Sequence, residues 1–455
     1  MSTLLLYWVV LAIILLAFII GRGKKSGPLV LGYFASLSII YVPGILSYTG
    51  AGAGTPSEIL AESGFKVVLI GLCAYLVGAF LGQNLNFRSR KLKEIVALDE
   101  GVTAQFGMLL LGIGVFSYFF AIPILSFIPS ATSLASAAGS LILVGYWYYL
   151  FYAFKTGNSR RIVLGLAALP LLPLSTMITG GFLGFGTYWL IAIATFAYVL
   201  SKQKVIILAA LPFLIYAGLS FGVAYFADRS VLRENVWQDK ADVGGGFNTV
   251  VGMISNLEPL DINRSDHVSM LLTRLNESTL VGAGVDNYNS GFVDLVHGAT
   301  VPIWAFVPRV VWPNKPPVGG GGDLVSQFTG IYFAEDTSVG IGQTLEFFMN
   351  FGQQGVIFGF LIWGFILARL DLAMRTGLED GRLGPVLIGG LCGAAMLQPN
   401  GNLLEITVTT VASFIVAQIT LAALKGFGAL DRDGKPVATS RKSLAKQNLP
   451  AKRLR

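Results

Sequence analysis

"KVIILAALPFLIYAGLSFGVAYFADRSVLR" (residues 204–233) decides the fold class. From 204 to 225 the run is apolar and unbroken after Lys204, close to the ~20 residues a helix needs to cross a bilayer. It lacks the charged face that a surface helix of a soluble domain shows. Lys202 and Lys204 stand at its start, and Arg229 and Arg233 come after it in "DRSVLR". Cations at both ends of a span raise the question of which set topology and which serve chemistry.

The pattern recurs on either side. Apolar runs at 3–20, 28–47, 65–83, 103–120, 134–154, 162–178, 183–200, 204–225, 353–370, 383–398 and 402–424 are all expected to span. The chain has 455 residues, 54% hydrophobic and 13% charged, with mean hydropathy +0.68. A soluble domain carries about 25% charged residues. The expected fold is therefore an all-α polytopic membrane protein of about eleven transmembrane helices. Its expected parts are an N-terminal bundle of about eight helices (1–225), a large external loop (226–341), a C-terminal bundle of about three helices (342–424) and a basic tail (425–455). The first run has no cationic stretch before it and is succeeded by Arg22, Lys24 and Lys25, so it reads as a retained span rather than a signal peptide. Cys73 and Cys392 lie inside apolar runs and read as small packing residues, without a disulfide or metal motif.

Charge orients the bundle. The segments 21–27, 86–94, 155–161, 201–204 and 368–382, with the tail from Lys425, hold 24 of the 32 lysines and arginines. Those segments alternate along the chain, so the positive-inside rule places them in the cytoplasm, with the N-terminus outside and the C-terminus inside. Every cytoplasmic loop is then too short for a nucleotide-sugar or ATP-binding domain. The basic tail reads as an anchor near anionic lipid heads.

The external loop 226–341 holds both histidines of the chain, His267 and His297. It carries seven cations against thirteen acids, for a net charge of −6. Arginines outside run against the topological bias, so some are expected to serve locally. Five of the seven cations are arginine, which favours bidentate recognition of phosphate or carboxylate; pairing with loop acids is the plainer alternative. "RSDHVSMLLTRL" (264–275) predicts a short amphipathic helix on which Arg264, His267 and Arg274 share one side. The apolar stretch 293–312, broken by Gly298, Pro302 and Pro308, predicts a re-entrant or interfacial segment with Trp304 and Trp312 at headgroup depth. Pro313, Pro316 and Pro317 stiffen the backbone beyond Trp312, and Gly319–Gly322 release it. That tetraglycine is not a P-loop, because no GK[ST] comes after it. Arg309 and Lys315 are thereby held at the membrane–water boundary, where the phosphate of a lipid-linked substrate lies.

"PRVVWPNKP" (308–316), with "GQTLEFFMNFGQQGVIFGFLIWG" (342–364) downstream, resembles the oligosaccharide repeat-unit polymerases, the Wzy-type O-antigen and exopolysaccharide polymerases. Those carry an (I/V)PR-x-(L/I/V)WP-x-KP segment in a large periplasmic loop, then a Glu-aromatic-x-Asn-(F/Y)-Gly start to the next helix. The resemblance covers residues 260–370; elsewhere it rests on architecture. It implies a glycosyltransferase in the bacterial inner membrane. That enzyme polymerises undecaprenyl-diphosphate-linked repeat units into an O-antigen, capsule or exopolysaccharide on the outer face. An O-antigen ligase, another lipid-sugar transferase and a lipid-linked-sugar transporter are the alternatives. The implied partners are the lipid-diphosphate-linked oligosaccharide, membrane lipids, a chain-length regulator and a flippase, without nucleic acid, cofactor or metal.

In such a reaction arginines stabilise charge developing on the leaving diphosphate, and a base takes the proton of the acceptor hydroxyl. Arg309 and Lys315 match the family segment and are the first candidates for diphosphate contact. Arg264 and Arg274 come next, then Arg229 and Arg233 just beyond the eighth span. His267, beside Asp266, is a candidate base with an ordinary pKa near neutrality; His297 lies in the apolar re-entrant stretch. Either histidine also reads as structural. Glu346, at the start of a membrane helix, reads as a base, as a partner for an arginine or as a complement to the helix dipole. Asn400, Asn402 and Glu405, at the mouth of the last hairpin, are further candidates to line the same cavity.

Overall fold

A computed structural model describes residues 2–23, 26–48, 55–85, 100–125, 131–180, 182–238, 243–292, 307, 312, 321–333 and 339–426. Every regular element among them is helical, and no strand occurs among the described residues.

The N-terminal half contributes α1 (Ser2–Arg22), α2 (Leu29–Ser47), α3 (Pro56–Asn84) and α4 (Glu100–Phe116), which runs through a π turn at Ser117–Ala121 into α5 (Ile122–Leu125). Then come α6 (Ala131–Gly139), α7 (Leu141–Lys155), α8 (Ser159–Ala167), α9 (Leu171–Gly180), α10 (Leu183–Leu200) and α11 (Lys204–Gln238). The expected external loop contains α12 (Val243–Ser255), α13 (Ser265–Arg274), α14 (Glu277–Asn289) and α15 (Gly321–Thr329). The chain closes with α16 (Gly342–Asp380), α17 (Leu383–Ala395) and α18 (Leu403–Gly426).

Eight helical segments are long and apolar enough to cross a membrane, which makes this an all-α, multi-pass membrane chain. The other three expected spans are the shorter apolar helices Gln105–Ala121, Gly186–Leu200 and Leu383–Ala395. At ~1.5 Å per residue these fall short of a ~30 Å hydrocarbon core.

The core is built on α3 and α16. Leu72, Tyr75 and Ala79 are buried in one cluster with Val356, Phe360 and Leu367. α16 has a break: Phe351 (φ −137°, ψ 19°) and Gly352 (φ 58°, ψ −146°) leave helical geometry. The second pair of angles suits glycine, which has no Cβ to collide with the backbone. The "NFG" at 350–352 thus lets the buried first turns of α16 take their own direction before the helix crosses the bundle.

The cation-rich ends gather on one face. Arg22 donates to the Asn84 side chain (2.7 Å) and to the Gln83 carbonyl (2.6 Å), and Arg369 donates to the Leu85 carbonyl (3.1 Å). Asp371 accepts the Gly27 and Leu29 N–H groups (2.8 and 2.7 Å), capping the free start of α2. Arg375 lies over the rings of Phe151 and Phe196 (5.1 and 5.9 Å). The ends of α1, α3, α7 and α10 and the C-terminal part of α16 therefore share a face.

Candidate functional site

A cavity of about 2210 Å³ lies beside α11. Leu16 of α1, Leu31 and Phe34 of α2, Leu190 of α10 and Leu211 and Ile215 of α11 make most of its wall apolar. α11 stands off the bundle: Val205 and Phe213 are each 78% exposed. Such a cleft suits a hydrocarbon chain better than a polar metabolite.

Its charged residues come from the helix ends remote from the basic face. α11 continues thirteen residues past the expected end of its span, because "AYFADRSVLRENVWQ" contains no proline or glycine to stop it. The boundary expected at 226 falls inside this helix. Arg229 and Arg233 thereby sit one turn apart on one face, and both line the cavity. The Arg233 guanidinium stacks 4.6 Å from the centre of the Phe182 ring. The Tyr225 hydroxyl is within hydrogen-bonding reach of both arginines. Arg274, in the last turn of α13, joins them on the cavity wall, near enough for the three charges to repel one another. Among the described residues no carboxylate pairs with Arg229 or Arg274. Three guanidinium groups thus stand close together at the end of an apolar cleft, and their fork geometry fits phosphate.

Arg274 closes α13 and Glu277 opens α14, joined by Leu275 and Asn276. The joint is pinned to α2, whose Gly44 N–H donates to the Leu275 carbonyl (3.2 Å) beside the helix-interior Pro43. α14 lies so close to α3 that a Cβ at Gly64 would strike the Ser278 carbonyl, and one at Gly282 the Leu60 carbonyl. This contact of small residues, the device by which membrane helices approach closely, fixes Glu277 at the cavity wall. Its side chain is half-buried against the cavity, and desolvation there pushes its pKa up to about 8. It takes part in no ion pair or hydrogen bond among the described residues. Tyr41 and Tyr188 are near enough to feel its charge.

The facing wall is the turn between α17 and α18. Gln343 donates to the carbonyls of Gln398 (2.8 Å) and Gly401 (2.6 Å) and accepts the Tyr33 hydroxyl (2.8 Å). Asn402 accepts the Glu405 N–H (2.6 Å) as the cap of α18, and Tyr188 donates to the Asn400 side chain (2.9 Å). Asn400, Asn402 and Glu405 line the same cavity as the arginines.

The sequence candidates separate in space. Arg229, Arg233 and Arg274 are brought together. α13 forms where the amphipathic pattern placed a helix, but Arg264 precedes it and turns to the surface, paired with Glu258 (2.6 Å) and Asp266 (2.7 Å). That pairing holds the exposed Asp266 carboxyl down to about 2. His267 is buried; its Nδ1 accepts the Asp261 N–H (3.2 Å) and its Nε2 faces Glu258 at 3.7 Å. Glu346 is buried and accepts the Leu403 N–H (2.7 Å), so it holds the start of α18 rather than the dipole of its own helix. None of Arg264, His267 or Glu346 lines the cavity. His297, Arg309 and Lys315, with the re-entrant segment except Val307 and Trp312, lie outside the described residues. Glu277 is the residue that sequence reasoning missed. "TRLNES" reads as two ordinary charges flanking a turn, and only the docking of α14 on α3 buries one of them beside the cavity. Among the described residues no group of His, Cys, Asp and Glu could hold a metal ion.

A family model described as a domain of unknown function, DUF8712, matches residues 29–374, from α2 into α16. No curated protein and no solved structure matches the chain. The match takes in the arginine cluster, the joint at 275–276 and more than half of the chain, and on that ground this protein belongs to the DUF8712 family.

Proposed function

We propose that this chain is a membrane glycosyltransferase that polymerises undecaprenyl-diphosphate-linked oligosaccharide repeat units on the outer face of the bacterial inner membrane. The observation that carries the reading is the cluster Arg229, Arg233 and Arg274 at the polar end of a long apolar cleft. An isoprenoid chain fills the cleft, and the diphosphate meets the guanidinium groups. The bond broken joins that diphosphate to the sugar, so charge grows where the cations already point. The donor arrives activated, which suits a chain whose basic-side loops are short. The resemblance of 308–316 and 342–364 to Wzy-type polymerases supports the same reading and adds Arg309 and Lys315 to the diphosphate contacts. The basic face is cytoplasmic by the positive-inside rule, which turns the arginine cluster outward. Eleven crossings are part of this reading, with the three shorter apolar helices counted as spans.

The test is purified protein incubated with lipid-diphosphate-linked repeat units, with products sized on a gel. A ladder of repeats is expected. Transfer of one chain to a different lipid acceptor would make the protein a ligase. Unreacted donor moved across a vesicle membrane would make it a transporter.

A further inference from the structure

The polymerase reading needs a group that removes a proton from the acceptor hydroxyl, and the two candidates from sequence among the described residues, His267 and Glu346, are spent elsewhere. One holds the backbone at Asp261 and the other the backbone at Leu403. The cavity wall offers two acids, Glu277 and Glu405. Glu405 lies in the first turn of α18, on the wall that faces the joint carrying Arg274 and Glu277. Glu277 also opens a helix, but it is half-buried beside Arg274, has no cation or donor as partner among the described residues, and faces the cavity.

Glu277 also stands at the right distance. Only Leu275 and Asn276 separate it from Arg274, so the two Cα atoms are at most about 11 Å apart. That is the scale of one diphosphate–sugar linkage. A donor whose diphosphate is held by Arg274, Arg229 and Arg233 has its first sugar within reach of this carboxyl. Tyr188, Asn400 and Asn402 line the same cavity and bring hydroxyl and amide groups of the kind that bind sugar hydroxyls.

Resting on the polymerase reading, we infer that Glu277 is the general base that deprotonates the acceptor sugar in the cavity wall. In that step the Glu277 carboxylate takes the acceptor O–H proton, and the acceptor oxygen bonds to the anomeric carbon of the donor sugar. The bond from that carbon to the diphosphate oxygen breaks. The lipid diphosphate leaves with the bonding pair and one further negative charge, facing three arginines. The proton on Glu277 then passes to water.

The experiment compares wild type with Glu277→Gln, Glu277→Asp and Glu405→Gln in the full-length protein. Turnover is measured with lipid-diphosphate-linked repeat units, and farnesyl diphosphate binding is measured in parallel as a control for fold and arginine cluster. Glu277→Gln is expected to lose about 100-fold or more in turnover, the range for a missing general base, while binding farnesyl diphosphate as wild type does. Glu277→Asp is expected to recover part of the rate, and Glu405→Gln to lose at least about tenfold less than Glu277→Gln. Across pH, wild-type turnover is expected to rise as Glu277 loses its proton and the residual Gln rate to be flat. Tyr41 and Tyr188 feel the charge of Glu277, and Arg274 and Glu405 line the same cavity. Glu277→Gln protein that binds normally and turns over normally would overturn the assignment and leave the polymerase reading standing. Wild-type protein that makes no glycosidic bond from any lipid-diphosphate donor would overturn both.

Discussion

Replacing Arg274 by alanine separates an anion site from a structural cation. Arg274 is exposed to the cavity and, among the described residues, pairs with no carboxylate, so its removal strands no buried acid. It also relieves repulsion from Arg229 and Arg233, so the folded state should lose nothing. Binding behaves in the opposite way. A hydrogen bond to a charged group contributes about 1.5–3 kcal/mol. At ~1.4 kcal/mol per tenfold, farnesyl diphosphate should bind roughly 10- to 150-fold more weakly. Arg274→Lys should fall between, because it keeps the charge and loses the planar fork. Titration calorimetry in detergent gives the affinity, and a thermal melt on the same sample gives the stability. The melting temperature should stay within about 2 °C of wild type. A variant that binds as tightly as wild type would remove the cluster from diphosphate recognition. One that melts far lower while binding normally would show Arg274 to be a counter-ion of the fold.

Four other outcomes are expected. Arg309→Lys should fail nearly as badly as Arg309→Ala in polymer yield at equal protein level, and a fully active Lys variant would take Arg309 out of the site. His267→Ala removes the buried acceptor of the Asp261 N–H and should lower stability by about 1–3 kcal/mol; turnover per folded molecule should hold, and a ~100-fold loss would return the histidine to the chemistry. Burial raises the Glu277 pKa to about 8 against an ordinary value near ~4.3, so the fold favours its neutral form. Thermal stability should therefore fall as pH rises from about 5 through 8, a slope that Glu277→Gln should flatten; the same slope in both proteins would remove Glu277 as its source. In intact cells, an impermeant thiol reagent should reach a cysteine placed near Lys240 and miss one near Lys93, and the reverse would invert the orientation.

What the sequence determined alone was whatever depends on composition and short-range order. A run of twenty apolar residues is insoluble wherever it sits, so the membrane class and the positions of the apolar helices were legible at once. The separation of the cation-rich loops was legible too, since charge bias acts segment by segment. α13 was visible because its amphipathic pattern is local, running over the ten residues of the helix. The site itself was not legible. Arg229 and Arg233 were candidates by position, yet nothing local indicated that α11 would carry them past the expected loop boundary to meet Arg274, forty-one residues further on. His267 and Glu346 drew attention because their types suit proton transfer, but tertiary contacts turn both toward backbone N–H groups. Glu277 had no signal of its own. Its burial depends on Gly64 and Gly282 allowing α14 to settle against α3, more than two hundred residues away in sequence. A carboxyl's pKa and a cation's freedom are set by what surrounds them, and those surroundings exist only after distant helices have packed.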